Sequence, residues 1–479
     1  MDSTIKTLVR YEWKAFVRNK FQLIMLVVTF LFGLYAIYYG QSEINAQRNT
    51  INAVTAIEHE EFSTYKASFT EEMETIEQEQ THDIASRPAY AWFRHGYHAI
   101  LPPHDFAPLA IGQRDLFRYY YRLTGMSLHY QLFENELANP VNLMAGNFDL
   151  SFVLIYLFPL VIIAFCYGLY SSDKEGGTLA LLLIQSVSMR KITLVRLTFY
   201  FVLITGLALL LSLVGILSSG SFVADENLMP GLAWLVGVVV YCAFWFGLLY
   251  FVISFRKSSS FNAISAAGCW LFLLIVIPSM LNVIVTTMYP LNSATLAGLT
   301  RRTGLENEND EKEVKKVIRE FLAHKPELAA SDSLIENNML AKAYAAFTSL
   351  KDINNQHEVD HYNAQVAKRN TWTSRFHWLS PSVNMQDVFT HIVETDLTTF
   401  LHYQDALVRF HGNISEFYFN RLFWDKPLVR ADYENLPSFS MKQQSDRWET
   451  VWLGLGKVLL AAVLVFTLGF IKMKGGIKQ

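Results

Sequence analysis

The sequence predicts an all-α polytopic membrane protein with six transmembrane helices and two mainly helical extracytoplasmic inserts. Of its 479 residues, 52% are hydrophobic and only 17% are charged, whereas about a quarter of the residues in an ordinary soluble protein are charged. The apolar residues are also concentrated in six blocks. Each block reaches the length of about 20 residues that a helix needs to cross a bilayer.

The six predicted spans are separated by polar segments of very different length. They cover residues 21–40, 152–170, 197–218, 232–255, 261–288 and 451–471. The first is predicted to be a retained span, because it ends in YAIYYG without a small-residue cleavage site and follows a highly charged segment. Cys166, Cys242 and Cys269 all fall within predicted spans, so a disulfide framework is not expected.

Basic residues in the short connections predict the orientation, because cytoplasmic loops carry an excess of lysine and arginine. The loop SSGSFVADENLM between the third and fourth spans has neither residue type. We therefore expect a multi-pass protein of the bacterial inner membrane with both termini in the cytoplasm. The basic residues are Lys6, Arg10, Lys14, Arg18, Lys20, Lys174, Arg190, Lys191, Arg196, Arg256, Lys257, Lys472, Lys474 and Lys478.

This topology divides the chain into alternating parts. They are a cytoplasmic amphipathic helix (1–20), the first span (21–40), an outer insert (41–150), the second span (151–171), a cytoplasmic segment (172–196), the third to fifth spans (197–288), a second outer insert (289–449), the sixth span (450–472) and a tail (473–479). Apolar residues recur every three or four positions in 41–80 and near 335–370, which predicts helices. DEKEVKKVIREFLAHKP predicts another helix that Pro326 ends, and ILPPHDFAP predicts a loop.

The N-terminal segment STIKTLVRYEWKAFVRNK places its apolar and basic residues on opposite faces of a helix. This pattern predicts an interfacial helix on the lipids of the inner leaflet. Glu12 interrupts the apolar face, and two interpretations remain open. It either tilts to the headgroups or pairs locally, or it is a buried partner for a basic residue elsewhere in the assembly.

The cytoplasmic segment SSDKEGGTLALLLIQSVSMRKITLVR follows the second span. Gly176 and Gly177 allow a turn, and Thr178 is predicted to cap the helix that LALLLIQS begins. A short apolar helix that faces the cytoplasm needs a protein partner, because water does not favour an exposed apolar patch.

These features resemble the permease subunits of type-2 ABC exporters. In that family a coupling helix carries a Glu, a Gly-Thr-Leu and a leucine-rich stretch, which match Glu175, Gly177, Thr178, Leu179 and LLLIQSVSMRK. The sequence departs from the family at DKEGG, where the acidic and basic residues before Gly-Thr-Leu are rearranged. The segment RYEWKAFVRNK, with Glu12, Trp13 and Arg18, is similar to the family's gate helix.

Three further stretches extend the resemblance to a branch with large extracytoplasmic inserts of unassigned function, the domain-of-unknown-function 3526 type. They are PLAIGQRDL, NPVNLMAGNFDLSFVLIYLFPL and WLSPSVNMQDVFTHIVETDLTTFLHYQDALVRF. The resemblance implies that the chain forms a homodimer or a heterodimer with a similar permease. It also implies that a separate ABC ATPase docks on Glu175, Gly177, Thr178, Leu179, Leu182 and Leu183.

The chain contains no G-x-x-x-x-G-K-[ST] motif, so ATP and Mg are expected in the partner ATPase and no cofactor is expected in this chain. The protein is therefore expected to be a transport subunit rather than an enzyme. A formal charge of −3 without a basic bias indicates no nucleic-acid partner.

The sixth span contains the stretch GLGK, in which Gly454 and Gly456 are expected to serve close helix packing. Lys457 lies about 9 Å into this span. It either reaches back to the outer headgroups or has a role in a transport pathway.

Residues 356–362 read QHEVDHY, and His357, Glu358 and His361 form an H-E-x-x-H pattern that can bind zinc on a helix. A charged Asp360 and the absence of a third ligand at the metzincin spacing argue against zinc, although Glu394 could act as a distant ligand. The two histidines also continue a predicted packing stripe formed by Leu340, Ala343, Phe347 and Leu350.

Three functional hypotheses follow. The leading one is the membrane subunit of an ATP-driven exporter. The alternative is a membrane-anchored zinc-dependent hydrolase that uses residues 357–361. The third is an ABC machine that transmits ATP-driven motion to an envelope partner without transport.

Overall fold

A computed structural model describes residues 3–70, 73–133, 147–184, 188–220, 225–291, 298, 310–329, 335–441 and 447–475. Within these residues, six helices are long and apolar enough to cross a membrane. They are span 1 (Lys20–Ala67), span 2 (Leu150–Glu175), span 3 (Met189–Ser218), span 4 (Asn227–Ile253), span 5 (Ser259–Met288) and span 6 (Arg447–Lys474). The protein is thus a multi-pass, mainly helical membrane protein, as the sequence predicts. Residues 185–187, 221–224 and 476–479 and the whole of the NPVNLMAG stretch (139–146) lie outside the described residues.

The remaining helices and strands are short or belong to the inserts. The helices are α1 (Ser3–Arg18), α2 (Ile76–Ser86), α3 (Pro88–Arg94), α4 (Leu128–Phe133), α5 (Leu179–Ile184), α6 (Glu311–His324), α7 (Met339–Phe376), α8 (Pro381–Ile392) and α9 (Leu397–Phe423). Strands β1 (Tyr97–Ile100) and β2 (Tyr120–Leu123) form an antiparallel pair. The helices expected near 311–324 and 335–370 are confirmed, whereas the strand pair was not predicted.

Span 1 is much longer than a bilayer requires. It continues as one helix of 48 residues from Lys20 to Ala67, which corresponds to about 72 Å at 1.5 Å per residue. The side chain of Asn19 caps its first turn by accepting a hydrogen bond from the Gln22 amide, so α1 and span 1 are separate helices joined at Asn19. The predicted span at 21–40 is therefore only the first part of a helix that enters the first insert.

The two inserts share one apolar core that is separate from the core between the spans. Its buried residues come from α3, β1, α6, α7 and α9. In this core the Tyr418 hydroxyl lies 2.6 Å from His95 Nδ1 and 2.5 Å from the Tyr97 hydroxyl. Burial lowers the pKa of His95 to about 3, so its ring is neutral at pH 7. A core of this kind joins two chain segments that are far apart in the sequence.

Helix α8 belongs to the second insert by sequence but packs with the spans. Its residues Met385, Val388 and Phe389 are buried in the core between the spans, and Phe389 stacks on Trp234 of span 4 with ring centroids 4.1 Å apart. The Ser380 hydroxyl, which precedes α8, donates to the Leu273 carbonyl near the middle of span 5. This part of the second insert is therefore wedged between spans 4, 5 and 6.

The basic residues of the short connections meet at one end of the span bundle. The Arg190 guanidinium lies 4.8 Å from the ring of Phe470, and the Arg256 guanidinium donates to the Met473 carbonyl over 2.8 Å. Consequently this end contains the connection between spans 2 and 3, the connection between spans 4 and 5, and the end of span 6. Helix α1 lies at the same end, because its Glu12 pairs with Arg196 near the beginning of span 3. We call this end the basic end, and we call the opposite end, where the inserts lie, the insert end.

Candidate functional site

Arg196 joins three helices at the basic end. Its Nε donates to Glu12 Oε1 of α1 over 2.7 Å, and its Nη1 donates to Asp173 Oδ2 of span 2 over 2.5 Å and to the Leu169 carbonyl over 3.0 Å. The three charged side chains are largely buried, with exposed fractions of 14%, 7% and 16% for Arg196, Glu12 and Asp173. Glu12, for which two interpretations were open, therefore has a buried basic partner. That partner, Arg196, is in the same chain.

The burial of Glu12 has opposing effects on its carboxyl group. Desolvation raises the pKa of Glu12 above its ordinary value, and the charge and hydrogen bond of Arg196 oppose this rise. Phe16, one turn further along α1, is also buried and lies 6.4 Å from the rings of Phe165 and Phe199. Glu12 and Phe16 thus form the face of α1 that packs on spans 2 and 3.

Two of the predicted gate residues lie away from this packed face. The Trp13 side chain is half exposed and Arg18 is exposed in the last turn of α1. The Trp13 ring lies 6.0 Å from that of Phe16 in a tilted arrangement and 6.4 Å from that of Phe199 in an edge-on arrangement. The apolar face predicted from the sequence is therefore divided, with one part on the protein and the other available to the lipid interface.

Glu175 connects the predicted coupling segment to span 5. Its Oε1 accepts a hydrogen bond from the Ser259 amide and its Oε2 accepts one from the Ser259 hydroxyl, both over 2.7 Å. The Ser171 and Ser259 hydroxyls also lie 2.7 Å apart. A carboxylate at a helix N-terminus is favoured by the unpaired amides and by the helix dipole, so Glu175 holds the beginning of span 5.

The turn before α5 is tied back to the same place. Gly177 has a φ of +72°, a left-handed conformation that glycine adopts without steric cost. The Thr178 carbonyl accepts from the Leu182 amide at the start of α5, whereas the Thr178 hydroxyl donates to the carbonyl and Oδ1 of Asp173. Thr178 thus stands at the beginning of the helix, and its hydroxyl links the turn to Asp173. Its role as a side-chain cap of α5 stays a prediction.

Helix α5 presents an apolar edge that includes Leu181 and Ile184, two residues that the sequence did not predict. Leu181 and Ile184 are 66% and 83% exposed, whereas Leu179 and Leu182 are half buried. The side chain of Leu183 lies outside what the structure describes. The most exposed residues were missed because the sequence alone does not show which side of a short helix its neighbours cover.

We call Glu12, Asp173, Glu175, Arg196 and Ser259 the junction. The turn at Gly177 and the hydrogen bonds of the Thr178 hydroxyl to Asp173 connect α5 to this cluster. The junction therefore links one exposed apolar helix to α1 and to spans 2, 3 and 5.

The two glycines of span 6 differ in their surroundings. A Cβ atom at Gly454 would overlap Val388 Cγ2 of α8, and the Gly454 carbonyl accepts a hydrogen bond from Asn384 Nδ2 over 2.7 Å. A Cβ atom at Gly456 would meet no heavy atom of the described residues within 4 Å. The expectation of close packing is confirmed for Gly454 and is wrong for Gly456. Lys457 is half buried on the same helix, where its charge acts on Asp387 of α8.

We expect Gly454→Val to displace α8 from span 6, because the added side chain has no room beside Val388. Overpacking of this kind costs about 1–3 kcal/mol, which should appear as a lower thermal unfolding midpoint of the purified protein. Gly456→Val is the matched control, since it places the same side chain in the same helix next to open space. Equal midpoints for the two variants would contradict the packing of α8 on Gly454.

The H-E-x-x-H residues lie on an exposed part of α7. The side chains of His357 and Glu358 are 89% and 57% exposed, and His361 is also exposed, with its Nε2 3.4 Å from Gln365 Nε2. The expectation that the two histidines continue a packing stripe is wrong, because Val359 is the residue that α7 buries at this point.

Glu394, considered as a distant third zinc ligand, is paired with Arg447. Among the described residues, no group of three or more His, Cys, Asp or Glu side chains is arranged to hold a metal ion.

A sequence model of the family described as "Domain of unknown function (DUF3526)" matches residues 294–442. No curated protein matches the chain. The matched region contains α6 to α9, so the similarity covers the second insert together with the helix that is wedged between the spans. This agrees with the part of the resemblance that concerns the large insert, and the family description assigns no activity.

Proposed function

We propose that the protein is the membrane-spanning permease subunit of an ATP-driven ABC exporter or envelope machine, coupled to a separate ATPase chain. One observation carries the proposal. Helix α5 exposes Leu181 and Ile184 and is joined by the turn at Gly177 to a buried set of ionic contacts. Exposed apolar side chains at a polar surface favour a protein partner.

The junction explains how a docked partner would act on the membrane helices. Asp173 passes a displacement of α5 to Arg196 and hence to Glu12 of α1, while Glu175 passes it to Ser259 at the start of span 5. Buried ion pairs resist separation, because a lone charge in a region of low dielectric is costly. A partner that changes shape on ATP hydrolysis would therefore move α1, span 3 and span 5 together.

The proposal includes further partners. ATP and Mg bind to the separate ATPase, and a second permease, identical or similar, completes the transporter. In their most apolar stretches, spans 1 and 5 bury only 22% and 17% of their residues inside the protein, whereas spans 2 and 4 bury 61% and 67%. This exposure supports contact of spans 1 and 5 with an apolar partner or with lipid.

We further propose that the basic end faces the bacterial cytoplasm and that the inserts lie outside the inner membrane. The expected result of labelling intact cells with a membrane-impermeant maleimide is that His402→Cys reacts and Ser188→Cys reacts only after the membrane is opened. Both positions are exposed, one on α9 and one before span 3. Labelling of Ser188→Cys in intact cells would contradict the orientation.

The coupling proposal is tested by purification of the full chain from its native membrane in mild detergent. We expect a separate ATPase polypeptide to remain bound, and its ATP hydrolysis to be detectable in the eluate. Recovery of a well-folded chain without any bound ATPase, also after chemical cross-linking in the membrane, would contradict the proposal.

A further inference from the structure

A cavity of about 400 Å³ lies toward the insert end, and no predicted site includes it. Its walls come from span 2, span 5, the last turns of α7, helix α8 and the beginning of α9. The volume falls in the range of about 300–1,000 Å³ that is typical of small-molecule sites. The cavity therefore has the size of a ligand site and lies where the second insert meets the spans.

Two π-helical turns border this cavity, Val153–Leu157 in span 2 and Phe272–Val276 in span 5. A π-turn alters the backbone hydrogen bonds of a helix and is frequent at functional sites. In an apolar environment the affected carbonyls need other donors. The donors are Tyr241 Oη to the Ile155 carbonyl, Trp270 Nε1 to the Tyr156 carbonyl and Ser380 Oγ to the Leu273 carbonyl, over 2.9, 3.1 and 2.6 Å.

These side-chain donors make the irregular backbone a defined part of the cavity wall. Ile155, Tyr156 and Leu274 of the two π-turns, together with Pro278, give the wall an apolar side. The three hydrogen bonds hold the two π-turns in place, so this apolar part of the wall has a defined shape.

The rest of the lining is largely polar, and its two carboxylates, Asp387 and Asp396, already have partners. Asp396 caps α9, because its Oδ1 accepts from the amides of Thr398 and Thr399 and its Oδ2 from the Thr399 hydroxyl. Asp387 lies between two histidines, with Oδ2 3.1 Å from His377 Nδ1 and Oδ1 3.4 Å from His391 Nδ1. These contacts make the carboxylates poor sites for an additional cation.

Of the positive groups in this lining, His391 is held by the two carboxylates, whereas Arg369 forms an ion pair with neither of them. His391 also places its Nε2 3.5 Å from Asp396 Oδ1, so it stands between two carboxylates, which favour its protonated form. Arg369 lines the cavity, and its Nε donates to the Tyr289 carbonyl at the end of span 5 over 2.6 Å. That bond fixes the guanidinium beside the cavity, and a guanidinium matches carboxylate and phosphate groups in charge and geometry.

From this arrangement we infer that the cavity binds a single-chain amphipathic anion. Its carboxylate or phosphate head lies at Arg369, and its apolar chain lies along Ile155, Leu274 and Pro278. The inference goes beyond the proposed function and does not depend on an ATPase, because it concerns binding to this chain alone.

The test is equilibrium binding to the purified full chain in lipid nanodiscs. The probes are radiolabelled decanoate and decyl phosphate, with decanol and decyltrimethylammonium as neutral and cationic controls of equal chain length. We expect saturable binding of at least one of the two anions, and the tighter of them identifies the head group. Saturable binding of the cation but not of either anion, or of no probe at all, would overturn the inference.

Variants separate the cavity from general uptake by lipid. We expect Arg369→Gln, which removes the charge, and Thr373→Phe, which fills the cavity, each to weaken anion binding by about tenfold or more. Lys368→Gln and Thr371→Phe make the same changes at neighbouring exposed positions of α7 and should leave binding unchanged. The thermal unfolding midpoint of each variant is measured to show that it is folded. Unchanged binding in both Arg369→Gln and Thr373→Phe would show that the anion binds elsewhere.

Discussion

The double substitution Leu181→Asp and Ile184→Asp is expected to give a protein that inserts and folds normally but no longer retains its ATPase. The two side chains are the most exposed residues described in α5. Burying each against a partner would contribute about 1.5–3 kcal/mol at full burial. Two aspartates would instead carry unpaired charges into the contact, which is strongly unfavourable. The ATPase recovered with the purified chain and the ATP-dependent activity should both fall to background.

A matched control uses exposed apolar residues of the first insert. Ile57→Asp and Ile76→Asp introduce the same charges at side chains that are 50% and 75% exposed, so they test whether added aspartates alone disturb the protein. We expect this control to keep its ATPase. Normal ATPase retention by the α5 variant would show that docking takes place elsewhere.

Arg196→Met is expected to destabilise the protein strongly. The substitution leaves the buried carboxylates of Glu12 and Asp173 facing each other without their common partner. Removal of one member of a buried ionic cluster typically costs about 3–5 kcal/mol. The thermal unfolding midpoint should therefore fall well below that of Arg10→Met, a control at an exposed position of α1.

A rescue variant separates stability from coupling. Glu12→Gln and Asp173→Asn, added to Arg196→Met, remove the unpaired charges and should restore most of the lost midpoint. The connection that runs from α5 through Asp173 and Arg196 to Glu12 of α1 then lacks its ionic component. We therefore expect the triple variant to bind the ATPase yet to lose most ATP-dependent activity. Full activity in a stable triple variant would show that the junction serves stability alone.

The spans and the long helices of the inserts were predictable, because each has a pattern longer than about ten residues. Apolar blocks mark the spans, and the charged, periodic stretch around Val314 and Ile318 marks α6. The apolar periodicity near 335–370 likewise predicted α7, although its exposed histidines did not continue the buried face.

Helix α8 was not predictable as part of the span core. The stretch PSVNMQDVFTHI mixes polar and apolar residues over 12 positions, too few to resemble a span, and its burial depends on glycine positions in other helices. Gly237 and Gly454 provide that space, since a Cβ atom at Gly237 would crowd Met385 and Phe389. A single sequence does not show which distant helix fills the space beside a glycine.

The candidate site was predictable in part for a similar reason. The turn after Glu175 and the short helix that follows it could be predicted, because the glycines and the short apolar run are local signals. The partners of Glu12 and Glu175 could not, because Arg196 and Ser259 are 184 and 84 positions away.

The length of span 1 has a mechanical consequence. The helix begins beside α1 and ends near the core of the inserts, where Lys66 pairs with Glu434 over 3.3 Å and Phe62 lies 5.0 Å from the ring of Tyr97. A continuous helix of about 72 Å acts as a lever. If it pivots about Asn19, a tilt of about 5° moves its far end by roughly 6 Å. Such a pivot would convert a change of angle at the basic end into a large displacement at the insert end, with no solute crossing between them.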